Sequence, residues 1–278
     1  MTQLLVILAS AVLAGLYARG NFAFLLGFVM LVPWLRVLDE RRTLASTLLS
    51  AWAMSVAFSA AVFFWFGIAI GKYTGAGAVT GLAVLLLAAP LFQPQFFAFA
   101  LVRHWFLRRH GPLLCALAGA AAWLATEWLV PRLLGDTLGH GLYPSRLLRQ
   151  GADLGGAAGL TLILLLVNES LALVLARRAA GDAGWRGLLA LRALRALRWP
   201  LALALLLPLS LALYGFVVLA NDPAAPQPAD KPLRIGMVQS NLVDYEQRRQ
   251  QQGTYVAVRQ LLDTHFAMSY DAVVRQHA

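Results

Sequence analysis

A succession of long apolar runs through the first 220 residues is the feature that most constrains the fold of this chain. A helix needs roughly 20 apolar residues to cross the hydrocarbon core of a bilayer. Runs of about that length cover residues 4–18, 22–38, 46–71, 77–102, 112–130, 156–176 and 200–220. The pattern predicts a polytopic α-helical membrane protein with about seven spans.

The basic residues indicate how these spans are oriented. The net charge is +10, but the arginines stand in short loops between apolar runs, where positive charge marks the cytoplasmic side. One set of alternating loops holds Arg36, Arg41, Arg42, Arg103, Arg108, Arg109, Arg177, Arg178, Arg186, Arg192, Arg195 and Arg198. The opposite set holds Arg19, Lys72, Arg132, Arg146 and Arg149. This asymmetry predicts a cytoplasmic N-terminus and a periplasmic residue 221, and it argues against nucleic acid as a partner.

A change in composition near residue 221 predicts a domain boundary. The Pro-rich segment 221–232 is typical of an extended linker. Residues 233–241, L-R-I-G-M-V-Q-S-N, predict a strand and loop, and residues 246–268 predict an amphipathic helix. Strand, loop and helix are the opening of an α/β layered domain, which an end at Ala278 would leave incomplete. The predicted domains are 1–220 (transmembrane), 221–232 (linker) and 233–278 (start of the soluble domain).

The basic segment 181–199 has two interpretations. Arg192, Arg195 and Arg198 repeat at every third position with leucines between them. Such a segment is typical of an interfacial helix on an anionic leaflet. It is equally typical of a basic lead-in to the following span, and neither interpretation implies catalysis.

Ionisable side chains within spans are costly and raise a functional hypothesis. Glu127 stands near the end of the fifth span, in W-L-A-T-E-W, so Trp123, Glu127 and Trp128 are candidates to line a substrate cavity at the outer interface. The alternative is an aromatic belt with a carboxylate that hydrogen-bonds a neighbouring helix. Glu169 stands in the sequence N-E-S of the sixth span, and its presence there is better explained by hydrogen bonds between helices than by a direct functional role.

The long loop 132–155 is a second candidate for a binding region, because long ordered loops often carry function. His140 and Tyr143 in this loop are candidates to contact a lipid headgroup or a peptide, although a histidine in a Gly-rich loop is more often structural. The chain has no G-x-S-x-G, P-loop or H-E-x-x-H motif, and its single Cys115 lies in an apolar run. We therefore predict no catalytic residue, metal site or cofactor within these residues.

The order of these elements resembles bacterial apolipoprotein N-acyltransferases over essentially the whole chain. The resemblance is carried by the spans, the W-x-x-x-E-W helix end, the long loop after it and the L-R-I-G-M-V-Q-S-N opening. It implies transfer of an acyl chain from phosphatidylethanolamine to the N-terminal amine of a diacylglyceryl-cysteine lipoprotein, in the bacterial inner membrane. It also implies that the soluble part is a nitrilase-like α-β-β-α domain. In the family, a Glu-Lys-Cys triad in that domain acts through a thioester acyl-enzyme.

The chain departs from the family pattern after residue 241. Tyr245 and Glu246 occupy the region where the family has a Lys-Trp pair, and loop 138–145 differs from the usual Gly-Tyr-Ser version. The expected Glu, Lys and Cys, and an eighth span, would lie beyond Ala278. We therefore expect a monomeric chain that binds phosphatidylethanolamine and diacylated lipoprotein but is inactive alone. The alternative is a non-enzymatic membrane lipid-binding or scaffold protein, and a transporter is disfavoured because no inverted repeat is evident.

Overall fold

The computed structural model is almost entirely helical. It describes residues 2–40, 43–131, 135–179, 191–221, 235–239 and 244–276. The α-helices in this part of the chain are α1 (Thr2–Ala18), α2 (Val32–Asp39), α3 (Leu44–Val62), α4 (Phe64–Tyr73), α5 (Ala78–Phe92), α6 (Gln95–Leu107), α7 (Pro112–Leu129), α8 (Ala152–Ala179), α9 (Leu191–Ala220), α10 (Tyr245–Gln252) and α11 (Thr254–Tyr270). Short 3-10 helices cover Asn21–Phe28, Leu138–Leu142 and Leu148–Gly151, and a π-helical turn covers Asp271–Arg275.

Several helices are long and apolar enough to cross a membrane. The described residues contain five such stretches, Asn21–Asp39, Leu44–Val62, Pro112–Leu129, Leu148–Ala176 and Arg198–Ala220. A sixth results if α5 and α6, which meet at 42°, form one broken span. The prediction of a polytopic α-helical membrane protein is confirmed, but the predicted count of about seven spans exceeds the five or six found here.

The difference in number has local causes. The first predicted span corresponds to α1, whose 17 residues cover about 26 Å and fall short of a hydrocarbon core of about 30 Å. The predicted span 46–71 is interrupted at Phe63, where the backbone leaves helical geometry between α3 and α4. The predicted span 77–102 is broken at Gln93 and Pro94, because proline lacks the N–H that would continue the helix.

The predicted start of an α/β domain is not borne out by the described residues. Residues 235–239 form no strand there, and the rest of the predicted strand and most of linker 221–232 lie outside the described residues. A lone strand has no partner for its backbone groups, and no other described segment is a strand. The predicted amphipathic helix is present as α10 and α11, which are separated at Gly253 with its positive φ of 82°.

The helices divide into two compact units. The first comprises residues 1–63 and 86–221, and the second comprises 64–85 and 222–278. In the second unit, α4 and α5 approach closely through glycines. A Cβ on Gly71 would overlap the Gly77 carbonyl, and one on Gly81 would overlap the Gly67 carbonyl. Small residues of this kind allow helix backbones to touch in membranes.

An aromatic cluster forms the core of the first unit. Trp34, Phe96, Phe99 and Trp123 are fully buried, and their neighbouring ring centroids lie 4.8–5.8 Å apart. Edge-to-face contacts in this range are favourable beyond the buried area alone. The cluster joins α2, α6 and α7, and it fixes the position of α7, which carries Glu127 at its far end.

A buried amide supports the irregular backbone before α2. The Asn168 side chain in α8 accepts a hydrogen bond from the Leu31 N–H and donates to the Gly27 carbonyl, both at 2.8 Å. These backbone groups lie where the 3-10 helix ends and α2 begins. Irregular backbone at membrane depth is tolerated only where neighbouring groups satisfy it, and Asn168 does so here.

Candidate functional site

A polar network joins the end of α7 to the loop that follows it. Trp123 Nε1 donates to Glu127 Oε1 at 2.9 Å, and Thr137 Oγ1 donates to Glu127 Oε2 at 2.8 Å. Thr137 Oγ1 also lies 2.6 Å from Thr161 Oγ1, and the Gly139 N–H donates to Thr161 Oγ1 at 2.8 Å. Glu127 and Thr161 therefore hold the loop between α7 and α8.

Helices α1 and α8 also pack closely against this loop, and two glycines in the loop make the close contact possible. The Tyr17 hydroxyl of α1 donates to the Leu138 carbonyl at 2.5 Å. A Cβ on Gly141 would overlap the Tyr17 ring, and one on Gly139 would overlap the Ala157 carbonyl. The sequence L-G-H-G-L thus permits the loop backbone to lie directly against α1 and α8.

His140 and Tyr143 lie beside each other on this clamped loop. His140 Nδ1 accepts from the Thr137 N–H at 3.3 Å as part of a capping box, and its ring is exposed. Tyr143 is 72% exposed. The Arg149 guanidinium lies 5.2 Å from the Tyr143 ring centroid and donates to the Tyr143 carbonyl at 3.3 Å. His140 is held by a structural hydrogen bond and still faces the surface.

These side chains border a cleft of about 450 Å³. Its lining residues are Gly139, His140, Tyr143, Arg149, Ala152, Ala157 and Leu160. The helical geometry of α8 is interrupted at Gly155 and Gly156, where φ is −150° and +62°. A regular helix therefore starts near Ala157 at the cleft wall. A guanidinium together with the N-terminal end of a helix is suited to bind a phosphate group.

The five residues that the sequence predicts as site candidates separate into four groups. His140 and Tyr143 line the cleft, whereas Glu127 is half-buried beneath the loop and holds Thr137. Trp123 is fully buried in the aromatic core. Trp128 is 80% exposed and is not among the residues that line the cleft.

The family model of the apolipoprotein N-acyltransferase N-terminal domain matches residues 9–169, which is more than half of the chain. The chain belongs to this family. The match confirms the resemblance seen in the sequence. No curated protein matches the chain significantly, and no solved structure does either.

The part of the chain that matches the acyltransferase family contains the whole polar network and the cleft. Tyr17, Glu127, Thr137 and Thr161 all fall between residues 9 and 169. Arg149 also falls there, and in the sequence it stands out only as one of the few basic residues in the less basic set of loops. The one signal for it in the sequence was its position six residues after Tyr143 in a long loop.

The described residues of this acyltransferase family member contain no group of three or more His, Cys, Asp or Glu that could hold a metal ion. Cys115 is 1% exposed within α7, twelve residues before Glu127. At 1.5 Å per residue, that spacing is about 18 Å along the helix. Cys115 is thus remote from the cleft and is not placed to act there.

The resemblance implies a catalytic Glu-Lys-Cys triad, and none of its members is assigned to a residue of the cleft. The described residues end at residue 276. The last described helical segment is the π-helical turn Asp271–Arg275. The position of the triad stays a prediction.

Proposed function

We propose that this chain supplies the lipid-binding membrane part of an apolipoprotein N-acyltransferase. The reaction would move an acyl chain from phosphatidylethanolamine to the N-terminal amine of a diacylglyceryl-cysteine lipoprotein. The observation that carries the proposal is the cleft beside His140, Tyr143 and Arg149, within the region that matches the family. Its cationic and apolar walls suit an amphiphile with an anionic headgroup.

The lining residues have distinct roles in this proposal. Arg149 binds the phosphate of the phospholipid, because a guanidinium offers several donors in a fixed plane. The Tyr143 ring covers one side of the guanidinium and keeps it oriented. Ala157 and Leu160 present an apolar wall to the start of an acyl chain. Glu127, through its hydrogen bond to the loop, keeps these groups together.

The proposal includes an orientation in the bacterial inner membrane. The N-terminus would be cytoplasmic, and the cleft would face the periplasm, where lipoproteins are matured. The support is the asymmetry of charge between alternate loops, since arginine is concentrated in the set that contains residues 103–109.

The 278 residues are proposed to bind lipid without transferring the acyl group. The family resemblance implies a cysteine nucleophile, a glutamate base and a lysine that stabilises the oxyanion. The sequence has one cysteine, Cys115, which is buried in α7, and two lysines, Lys72 and Lys231. A triad that acts on a thioester would therefore come from polypeptide outside these residues.

Arg149→Gln is expected to weaken phospholipid binding about tenfold, because it removes a hydrogen bond between charged groups. The measurement is the amount of phosphatidylethanolamine bound to the purified chain in detergent, titrated by native mass spectrometry. The matched control is Arg259→Gln on α11, where the side chain is 67% exposed. Equal affinities of Arg149→Gln and the control would contradict the assignment of the headgroup site.

An acyl-transfer assay tests the inactivity of the chain alone. Incubation with phosphatidylethanolamine and a diacylated lipopeptide is expected to give no triacylated product and no acyl adduct on Cys115. Product would contradict the claim of inactivity while supporting the family reaction.

The alternative hypothesis, a pure scaffold role, predicts that the lipopeptide leaves the affinity for phospholipid unchanged. Two substrates that meet in one site instead alter each other's binding.

A further inference from the structure

A second cavity lies at the other end of α7 from Glu127. Its volume is about 420 Å³, and it is bordered by the end of α6, the start of α7, and parts of α2, α8 and α9. Its polar lining consists of Asp39, Arg103, Cys115, Glu169 and Ser170. This cavity shares no lining residue with the cleft beside His140, and the proposed function does not use it.

The cavity carries an excess of negative charge. Arg103 donates to Asp39 Oδ1 from Nη2 at 2.6 Å and from Nε at 3.1 Å. It also donates from Nη1 to Glu169 Oε2. Among the described lining residues, Arg103 is the one basic side chain and faces two carboxylates. With all three groups ionised, the cluster has a formal charge of −1.

One oxygen of this cluster has no hydrogen-bond donor. Glu169 is 5% exposed, and its Oε1 has no partner among the described residues. A buried carboxylate oxygen without a donor is costly, and the cost is removed when a ligand supplies an N–H. Arg103 donates to the other oxygen of this carboxylate and to Asp39, but not to Glu169 Oε1.

The remaining walls are apolar and belong to membrane helices. Leu107, Leu173, Trp199 and Leu203 line the cavity beside the carboxylate. Both α8 and α9 contain stretches that can span a membrane. A ligand for this cavity therefore needs a cationic donor at one end and an apolar body at the other.

We propose that this cavity binds the primary ammonium group of an amphiphile. One ammonium N–H donates to Glu169 Oε1, the positive charge neutralises the cluster, and the apolar part lies against Leu173, Trp199 and Leu203. A primary ammonium fits because it carries three donors and one charge, whereas a quaternary ammonium carries the charge without a donor. Both a single-chain amine and an amine-headed phospholipid present this chemistry.

Binding of dodecylamine and dodecyltrimethylammonium to the purified 278-residue chain tests the proposal. We expect dodecylamine to bind at least about tenfold more tightly, because it donates to the Glu169 oxygen. Glu169→Gln is expected to abolish this preference and to remain folded, since Arg103 and Asp39 still form a neutral pair. Asp263→Asn on α11, whose side chain is 70% exposed and lines neither cavity, is the matched control and is expected to retain the preference.

A second variant tests the cavity without changing its charge. Leu173→Trp fills the space beside Glu169 and is expected to weaken dodecylamine binding at least about tenfold. The proposal is overturned if the wild-type chain does not discriminate between the two amines, or if both Glu169→Gln and Leu173→Trp bind dodecylamine normally. Titration of the Arg149→Gln variant with phosphatidylethanolamine and with phosphatidylcholine identifies the source of the ammonium group. Tighter binding of phosphatidylethanolamine indicates a lipid headgroup, and equal binding of the two lipids indicates a free amine.

Discussion

Arg103→Met is expected to lower the free energy of unfolding by about 3–5 kcal/mol, because it leaves the buried Glu169 carboxylate and the partly exposed Asp39 carboxylate without their counter-charge. The Arg103 and Glu169 side chains are 7% and 5% exposed, and that of Asp39 is 27% exposed. Methionine fills much of the same space, so the loss would report on charge more than on packing. The measurement is equilibrium unfolding of the purified chain in detergent.

Two controls make this expectation specific. Arg259→Met removes an exposed ion pair to Asp263 at 3.8 Å and is expected to change stability by less than about 1 kcal/mol. The triple variant Arg103→Met, Asp39→Asn, Glu169→Gln removes all three charges together. It is expected to be more stable than Arg103→Met alone, because neutral side chains cost less to bury than unpaired carboxylates. If the Arg103→Met variant is as stable as the wild type, the ion cluster contributes little to the free energy of unfolding.

The apolar runs predict the membrane class of this chain, but they do not predict where helices break. The runs 46–71 and 77–102 are predominantly apolar, and each is divided in the structure, near Phe63 and at Pro94. Proline offers a local signal for the second break. Phe63 offers none, and in the structure its ring centroid lies 6.1 Å from that of Phe58.

The C-terminal part of the chain shows a different limit of prediction from sequence. Residues 235–239 have the composition of a strand, yet strand pairing is a property of two segments and not of one. The helix 246–268 depends mainly on local periodicity, and it is therefore found with a single interruption at Gly253.

The candidate site was partly predictable. A long Gly-rich loop indicated His140 and Tyr143, and both line the cleft. The partners that hold this loop come from distant positions, since Tyr17 and Leu138 are 121 residues apart. The pairing of Arg103 with Glu169 is likewise not predictable from the sequence, because the two residues are 66 positions apart. Long-range pairs of this kind leave no local pattern in one sequence.

Asn168→Leu is expected to destabilise the protein by about 2–4 kcal/mol, because it leaves two buried backbone groups unpaired. The amide satisfies the Leu31 N–H and the Gly27 carbonyl, and it also donates to the Leu164 carbonyl within its own helix at 2.8 Å. Leucine has the same branched skeleton of heavy atoms as asparagine, so a cavity would contribute little. Ser170→Ala is the matched control. The Ser170 hydroxyl bonds one carbonyl of its own helix at 2.7 Å, and its loss is expected to cost less than about 1 kcal/mol.

The effect of Asn168→Leu is also expected to reach the cleft. Gly27, whose carbonyl Asn168 binds, packs directly against the Tyr17 ring, and Tyr17 in turn holds Leu138 in the cleft loop. Loosening of the backbone before α2 should therefore free this loop. Amide hydrogen exchange over residues 137–143 is expected to be faster in Asn168→Leu than in Ser170→Ala. Unchanged exchange there, with stability lost as expected, would mean that the loop is held by Glu127 and Thr161 without help from the Tyr17 clamp.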